Sequence, residues 1–175
     1  VGCVSSESAG YRMGEEMGGV CGDKPDIEEV ITAKNNSDTL TQFNMSVGVT
    51  DEFMKAVKED KDFDRKFDGR VYKTVSATAL WDNILRSTWD WAEPGILFID
   101  RINKKNNLWY AEKIAATNPC GEQPLPPNGA CLLGSFNLAK YVLKHEGKYV
   151  FNMNQLRNDI HHVVRSMENV VDRAT

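Results

Sequence analysis

The chain has 175 residues, of which 41% are hydrophobic and 26% charged, and its formal net charge is -4. This balance is typical of a globular protein with one core, and the acidic surplus argues against a generally basic nucleic-acid-binding surface. No apolar run approaches the roughly 20 residues that span a bilayer, and the first residues lack a signal-peptide pattern, so we expect a cytoplasmic protein without direct DNA or membrane binding.

The N-terminal third opens with a glycine-rich stretch, residues 8–19 ("SAGYRMGEEMGG"), whose composition predicts a loop. A short helix is predicted from Asp23 in "DKPDIEEVITAK", because proline and acidic residues suit a first helical turn. A strand is predicted from Leu40 to Val49, where "LTQFNMSVGV" alternates larger apolar residues with smaller or polar ones. Thr50 is then the predicted N-cap of the helix "DEFMKAVKED".

The middle of the chain combines a charged stretch, a helix and a buried strand. The charged stretch is "KDFDRKFDGR", residues 61–70, which we interpret as a solvated turn. Ser76 precedes the predicted helix "ATALWDNILRSTWDWAE", and the apolar run "ILFID" after Pro94 and Gly95 predicts a buried strand. One face of that helix is predicted to comprise Leu80, Ile84, Leu85, Thr88 and Trp91. Helix followed by buried strand indicates α/β architecture.

The last predicted element is an amphipathic helix that Asn154 would cap. Its predicted apolar face comprises Leu156, Ile160, Val163, Met167 and Val170. His161 and His162 also lie on this helix, but adjacent helical residues point in different directions and no further ligand is in register. We therefore predict no metal site there.

Four cysteines, Cys3, Cys21, Cys120 and Cys131, occur without a CxxC pair, which excludes a zinc ribbon and a thioredoxin motif. In a reducing compartment we expect them to be thiols. Cys21 follows the glycine-rich stretch and is interpreted as a small buried thiol.

The stretch around Cys120, "NPCGEQPLPPNGACLLGSFNL", is predicted to be a rigid loop because its prolines forbid a continued helix or a central strand. Asn118, Cys120 and Glu122 alternate, so in an extended conformation their side chains would share one face. An amide, a thiol and a carboxylate in one patch can bond a ligand, carry out sulfur chemistry and move a proton. Taken alone, each residue also fits a structural role without chemistry. Asn118 could be a turn residue and Glu122 a solvated surface acid, and Cys120 or Cys131 could be a structural cysteine.

The motif "NPCGE" followed by "GACLLGSFNL" resembles the active-site segment of the ribonucleotide reductase catalytic subunit. The resemblance extends through "DKPDIEEVITAK", "FNMSVGVTDEFM", "AEPGILFIDRIN" and "NNLWY", and it is greatest for the adenosylcobalamin-dependent class. It implies an α/β fold that is part of the ten-stranded α/β barrel shared with glycyl-radical enzymes. Residues 1–175 would be an incomplete segment of one catalytic barrel domain, with a specificity-type loop at 8–19 and a radical-cysteine loop at 117–131.

The resemblance also implies roles for individual residues in the reduction of ribonucleotides to deoxyribonucleotides for DNA synthesis. Cys120 would carry a transient thiyl radical that removes hydrogen from the 3' carbon of the ribose. Glu122 would act as the general base for the 3' hydroxyl, and Asn118 would hydrogen-bond the sugar. Cys131 would be one member of the reducing dithiol. In loop 8–19, Arg12 with Gly10 and Tyr11 would contact the substrate base or an effector phosphate.

Several cofactors and partners follow from the same resemblance. They are adenosylcobalamin as radical source, a thioredoxin-type dithiol reductant, a ribonucleoside diphosphate or triphosphate substrate, and a deoxynucleotide effector. No residue is assigned to the cobalamin, and none to a metal. Because the chain begins at Val1 and ends at Thr175 within a helical pattern, we expect a fragment that needs flanking segments or a companion chain.

Two alternatives remain open at the level of sequence. The chain could belong to a class I large subunit, which takes its radical from a metal-containing partner subunit. It could also be a non-catalytic split-gene or assembly segment, because an incomplete barrel leaves unpaired strand edges that need covering.

Overall fold

The computed structural model describes residues 7–8, 12–13, 16–35, 40, 43–129 and 131–173, and only the backbone of residues 7–8 and 12–13. The chain divides into two compact units, Val1–Gly129 and Ala130–Thr175, here called the first and second units. Among the described residues, no helix is both long enough and apolar enough to cross a bilayer.

The described part of the first unit contains nine strands and four helices. In chain order they are β1 (Glu7–Ser8), β2 (Arg12–Met13), β3 (Glu16–Cys21), α1 (Ile27–Thr32), β4 (Phe43–Val49), α2 (Asp51–Lys58), β5 (Asp62–Phe67), β6 (Arg70–Ser76), α3 (Ala77–Trp91), β7 (Gly95–Phe98), α4 (Ile99–Lys105), β8 (Ala116–Thr117) and β9 (Pro124–Leu125).

The centre of the first unit is a parallel sheet in the order β3-β4-β7. The strand β4 pairs on both sides, with Cys21 of β3 opposite Gly48 and Phe98 of β7 opposite Val49. Helices lie between successive strands of this sheet, which confirms the predicted α/β class. The described strands form only two- and three-stranded sheets and no closed barrel, so the ten-stranded barrel stays a prediction.

The hydrophobic core lies where α1, α2 and α3 pack together with β4. Phe53 is 1% exposed, and its ring contacts Phe63 and Trp81 edge-on at centroid distances of 5.0 and 6.3 Å. The other buried members of the core are Ile27, Ile31, Val47, Val49, Ala77, Leu80 and Ile84. Because both Val47 and Val49 and their neighbours Ser46 and Gly48 are buried, this end of β4 is covered on both faces, as parallel strands usually are.

The two predicted N-caps in the first unit are confirmed. The Thr50 hydroxyl accepts from the Phe53 N–H at 3.1 Å, and the Ser76 hydroxyl accepts from the Ala79 N–H at 3.2 Å. Each bond satisfies a backbone donor that has no partner within its helix. The first helix, predicted from Asp23, begins later, at Ile27.

The prediction of a loop over residues 8–19 is wrong for residues 16–19, which belong to β3. Gly18 pairs with Met45 of β4, and a Cβ on Gly18 would lie 2.8 Å from the Met45 sulfur. The glycine therefore allows close packing of a side chain within the sheet, and its presence does not mark a loop. Within the same stretch, Ser8 of β1 pairs antiparallel with Arg12 of β2.

The interpretation of residues 61–70 as a solvated turn is also wrong, because β5 and β6 form an antiparallel hairpin. Its turn contains Asp68 and Gly69, both at positive φ, which is the Asp-Gly signature of a tight hairpin. Alternation places Phe63 and Arg65 inside, and the Arg65 guanidinium, whose side chain is 4% exposed, lies 3.3 Å from the Glu28 carboxylate of α1. Because the charged Arg65 occupies an inward-facing position, the sequence did not show the apolar alternation that predicts a strand.

The face predicted for α3 is only partly correct. Leu80 and Ile84 are buried as predicted, whereas Leu85 and Trp91 are 43% and 47% exposed. The buried stripe runs through Ala77, Leu80, Ile84 and Ser87, a spacing that follows the helical repeat more closely.

The predicted strand "ILFID" is shorter than expected, since β7 ends at Phe98 and α4 begins at Ile99. Asp100 is therefore helical. It lies in the first turn of α4, where its carboxylate accepts the Asp51 N–H of α2 at 2.8 Å.

The second unit contains a 3-10 helix (Leu138–Tyr141), the antiparallel hairpin of β10 (Val142–His145) and β11 (Lys148–Phe151), and the helix α5 (Met153–Arg173). The predicted cap Asn154 is wrong, because α5 begins one residue before it and the Asn152 side chain accepts the Gln155 N–H at 3.1 Å. No described residue of α5 is fully buried.

Candidate active site

The predicted rigid loop around Cys120 is a tight hairpin between β8 and β9. The Asn118 N–H donates to the Gln123 carbonyl at 3.1 Å, and the Gly121 N–H donates to the Asn118 carbonyl at 2.9 Å. Residues 118–121 therefore form a β-turn with Pro119 and Cys120 at its two central positions. Gly121 has φ +78°, in the left-handed region where glycine is favoured. The backbone is folded back here, so the extended conformation considered for residues 118–122 is not the one that the structure shows.

The turn nevertheless brings the predicted amide and carboxylate together. Asn118 is 7% exposed, its Nδ2 donates to Glu122 Oε1, and its Oδ1 accepts the Gln123 N–H at 2.9 Å. One side chain thus both closes the turn and orients the acid. Cys120 is exposed at the corner of the turn as a free thiol. Asn118 and Glu122 are thus joined by a hydrogen bond across a turn and not by alternation along an extended segment.

Two further asparagines anchor the hairpin to the parallel sheet and its helices. Asn44 of β4 donates through Nδ2 to the carbonyl of Pro119 at 2.6 Å. Asn103 of α4 donates to the Ile114 carbonyl at 3.0 Å and accepts the Ile114 N–H at 2.9 Å. Sequence reasoning missed both residues, because they lie 75 and 11 positions from their partners and carry no local motif.

An open cleft of about 1020 Å³ lies beside the turn. Glu122 and Gln123 border it on the side of the hairpin, and Arg101 and Lys105 of α4 border it on another. Its volume is at the upper end of the range that small-molecule sites occupy, about 300–1,000 Å³. Apolar walls are contributed by Ile96, Leu97, Phe98, Ile102, Leu108, Ile114 and Leu125. The cleft therefore combines apolar surface with charges of both signs.

The charges at one edge of the cleft are tied to α2. Hydrogen bonding from Lys104, together with the nearby Arg101 guanidinium, lowers the pKa of Asp51 below its ordinary value. The Arg101 Nε lies 3.5 Å from Asp51, and its guanidinium lies over the Phe98 ring at 5.3 Å from the centroid. Arg101 is thereby held at the wall of the cleft.

The other predicted site residues lie elsewhere. Cys131 is an exposed free thiol in the second unit. Arg12 lies in β2 and pairs through its backbone with Ser8, while Gly10 and Tyr11 lie outside the described residues, as does Cys3. Cys21 is exposed in β3, so its interpretation as a buried thiol is wrong. Within the described part of the chain, no cluster of three His, Cys, Asp or Glu side chains could hold a metal ion.

Comparison with known proteins identifies a family for this chain. Residues 2–175 match the family described as "Ribonucleotide reductase, barrel domain". A protein of Thermoplasma acidophilum named "Vitamin B12-dependent ribonucleoside-diphosphate reductase" is 38% identical over 169 residues, which are 95% of this chain and 22% of that protein. A protein of Mycobacterium tuberculosis with the same name is 38% identical over 167 residues, which are 93% of this chain and 23% of that protein.

A more distant relative gives the same result. The "Vitamin B12-dependent ribonucleotide reductase" of Streptomyces clavuligerus is 32% identical over 128 residues, covering 71% of this chain and 13% of that protein. The chain thus spans about a fifth of the length of the first two relatives. The resemblance predicted from "NPCGE" and its neighbouring motifs is confirmed, and the chain belongs to the barrel-domain family of the ribonucleotide reductases.

Proposed function

We propose that this chain supplies the radical-cysteine segment of a cytoplasmic ribonucleotide reductase that depends on adenosylcobalamin. The relatives named above are called vitamin B12-dependent, and two of them ribonucleoside-diphosphate reductases, which favours a diphosphate substrate. These names also favour cobalamin over the alternative of a class I enzyme with a metal-containing partner subunit.

The observation that carries the proposal is the hydrogen bond between Asn118 and Glu122 across the turn that presents Cys120. It supports the roles that the family resemblance implies: Cys120 removes hydrogen from the 3' carbon, and Glu122 takes the proton of the 3' hydroxyl. Asn118 would orient Glu122 and use its remaining amide hydrogen toward the sugar. General-base catalysis of this kind requires the carboxylate within hydrogen-bond reach of the hydroxyl.

The geometry of the turn suits a reactive sulfur. A radical must be held close to one C–H bond and away from others, which requires a stiff support. Hydrogen bonds at Asn118, Gly121 and Gln123 supply that stiffness. Oε1 of Glu122 is taken by Asn118, whereas Oε2 has no hydrogen-bond partner among the described residues and is available to a ligand in the adjoining cleft.

The proposed cofactor and reductant act on two different thiols. When bound, adenosylcobalamin supplies an organic radical that can oxidise a thiol, and the exposure of Cys120 fits access by such a group. No residue of this chain is assigned to holding the cobalamin. Cys131, also exposed, would be one member of the dithiol that reduces the substrate and is then restored by a thioredoxin-type protein.

The glycine-rich N-terminal stretch is proposed to sense the deoxynucleotide effector. Arg12, with Gly10 and Tyr11, would contact the substrate base or an effector phosphate, since a guanidinium offers planar paired donors. The backbone of Arg12 in β2 pairs antiparallel with that of Ser8 in β1, which gives Arg12 a defined backbone position.

The direct test is Cys120→Ser in a full-length reductase that carries this segment. We expect nucleotide binding within about twofold of the parent and loss of at least about 1,000-fold in deoxynucleotide formation, since a serine hydroxyl cannot replace a thiol in this radical step. Nucleotide binding is measured by equilibrium dialysis and turnover by product chromatography. The matched control is Cys21→Ser, which alters another exposed thiol and is expected to keep turnover. If the Cys120→Ser variant still converted ribonucleotides to deoxyribonucleotides at a substantial rate, the proposed function would be refuted.

The open edges of the central sheet support a need for additional strands. Among the described residues, β3 and β7 each pair only with β4, so each presents an unpaired edge. We propose that flanking segments or a companion chain pair with these edges to complete a barrel. Segment 1–175 expressed alone is then expected to self-associate in analytical ultracentrifugation, and adding the flanking segments is expected to suppress this. If the isolated segment sedimented as a stable monomer and still bound the nucleotide substrate, the proposal would be contradicted.

A further inference from the structure

We propose that Asn44 is a positioning residue for Cys120, which it fixes through the peptide bond between Pro119 and Cys120. The inference rests on the proposed function, because it concerns the geometry of the sulfur during hydrogen removal. Its starting observation is the 2.6 Å hydrogen bond from Asn44 Nδ2 to the Pro119 carbonyl. No other described side chain donates to that carbonyl.

The Pro119 carbonyl belongs to the central peptide of the turn, so the hydrogen bond from Asn44 acts on the orientation of that peptide. A β-turn is closed by a bond from its fourth N–H to its first carbonyl, here Gly121 to Asn118 at 2.9 Å. That bond is compatible with two orientations of the central peptide, Pro119–Cys120. Type I and type II turns differ by a flip of this peptide, and the second type requires positive φ at the third residue. Cys120 is not among the described residues with positive φ.

Asn44 therefore adds a side-chain constraint on the peptide plane at the centre of the turn. Cys120 N and Cα belong to the same plane as the Pro119 carbonyl, so fixing the oxygen also fixes the backbone point from which the Cys120 side chain departs. Pro119 adds a ring that restricts φ on its own side. Together the two constraints hold the backbone that presents the sulfur.

The donor is itself rigidly supported. Asn44 lies on β4, the central strand of the parallel sheet, and pairs in register with Met17 of β3. The neighbouring Met45 N–H donates to Glu93 Oε1 at 3.2 Å, and Glu93 also forms an ion pair with Lys34. The Asn44 side chain therefore ties the turn at Pro119, 75 residues later in the chain, to the central strand of the sheet.

The chemical step at stake is the transfer of one hydrogen atom. The C3'–H bond of the ribose breaks, a hydrogen–sulfur bond forms at Cys120, and the unpaired electron moves from sulfur to carbon. Such transfers depend steeply on the distance between the reacting atoms, and a displacement of about 1 Å can cost roughly 100-fold in rate. Releasing the Pro119–Cys120 peptide should therefore slow this step specifically.

The test compares Asn44→Ala and Asn44→Asp in the full-length reductase, with and without deuterium at the 3' carbon of the substrate. The first variant removes the donor, and the second keeps the side-chain shape but places an acceptor against the Pro119 carbonyl. We expect kcat to fall roughly tenfold to 100-fold in both, with KM within about twofold of the parent. We also expect the deuterium isotope effect on kcat to rise, because hydrogen removal becomes more rate-limiting.

The isotope effect separates positioning from simple loss of folded protein. A purely structural defect lowers the amount of active enzyme and leaves the isotope effect of the remaining enzyme unchanged. Asn152→Ala is the matched control, since it removes an asparagine bond to a backbone N–H in the second unit, and it should leave both kcat and the isotope effect at the parent values.

The outcomes distinguish this inference from the proposed function. If Cys120→Ser abolishes reduction while both Asn44 variants keep the parent kcat and isotope effect, the positioning role is refuted and the proposed function stands. If Cys120→Ser keeps reduction, the proposed function fails, and the positioning role fails with it. A lowered kcat with an unchanged isotope effect would also refute the positioning role.

Discussion

The two units bury the apolar faces of their long helices to very different extents. In the first unit, α3 packs a continuous stripe that includes Leu80 and Ile84 into a core, where they are 4% and 0% exposed. In the second unit, α5 has an equally clear apolar pattern, yet Ile160 and Val170 are 40% and 54% exposed. The comparison shows that a 3.6-residue period predicts which face of a helix is apolar. It does not predict how far that face is buried.

The same contrast extends to the rest of each unit. Among the described residues of the first unit, one core cluster has nine members at 7% exposure or less, and Phe53 is one of them. In the second unit, the lowest exposure among the described hydrophobic residues is 9%, at Tyr141. Since burial of apolar area is the main favourable contribution to folding, the first unit should be the more resistant to local opening.

The largest expected effect is that of Phe53→Ala, which would sharpen the comparison. Truncating this buried ring removes its contacts with Phe63 and Trp81, and we expect a loss of about 3–5 kcal/mol in local stability. Hydrogen–deuterium exchange of peptides from α1, α2 and β4, measured in the full-length protein, should accelerate by at least about 100-fold.

Phe151→Ala provides the matched change in the second unit, where the ring is 37% exposed and contacts Tyr141 at a centroid distance of 6.2 Å. We expect the exchange of β10 and β11 to accelerate much less, by about tenfold or below. Equal acceleration by the two variants would break the comparison, because it would mean that Phe151 is as well packed as Phe53.

A smaller effect is expected from the pH dependence of the second unit. The Tyr141 hydroxyl donates to Asp159 Oδ2 at 2.8 Å, and this hydrogen bond, aided by desolvation, raises the pKa of Tyr141 above its ordinary value. A raised pKa means that the folded state favours the protonated phenol. The stabilisation of the folded second unit by this hydrogen bond is therefore fully present below about pH 10, and it is lost as pH rises through the raised pKa of Tyr141.

Absorbance at 295 nm during an alkaline titration should show one tyrosine, Tyr141, that ionises above the ordinary tyrosine range. Tyr141→Phe should remove this late step, and Asp159→Asn should bring it to lower pH. If Asp159→Asn leaves the titration unchanged, the bond contributes nothing to the unit, and the contrast with the first unit becomes sharper.

Features with a local cause were predictable from the sequence. Thr50 and Ser76 are capping residues because each accepts an N–H only three positions away. The prolines around Cys120 predicted a loop there, and the pairing of Asn118 with Glu122 spans only four positions. Family membership followed from motifs spread over nearly the whole chain.

Features with a distant cause were not predictable in the same way. The strand character of β5 was hidden because Arg65 points inward and finds its partner, Glu28, on another element. Gly18 reads as a loop residue until Met45 is seen beside it. Asn44 gave no signal at all, because its partner is the carbonyl of Pro119 on a hairpin far along the chain. Such residues are recognised only when the fold brings them together.

The left-handed backbone at Gly121 has a consequence for protein engineering. A Cβ added there would meet no heavy atom of the described residues within 4 Å, so the position has ample room for a side chain. What excludes an ordinary residue is handedness, because φ +78° is unfavourable for L-amino acids and natural for their mirror images. Chemical synthesis with D-alanine at this position should therefore preserve the bend that presents the sulfur, whereas L-alanine should distort it. The constraint on this corner is chiral, and volume has no part in it.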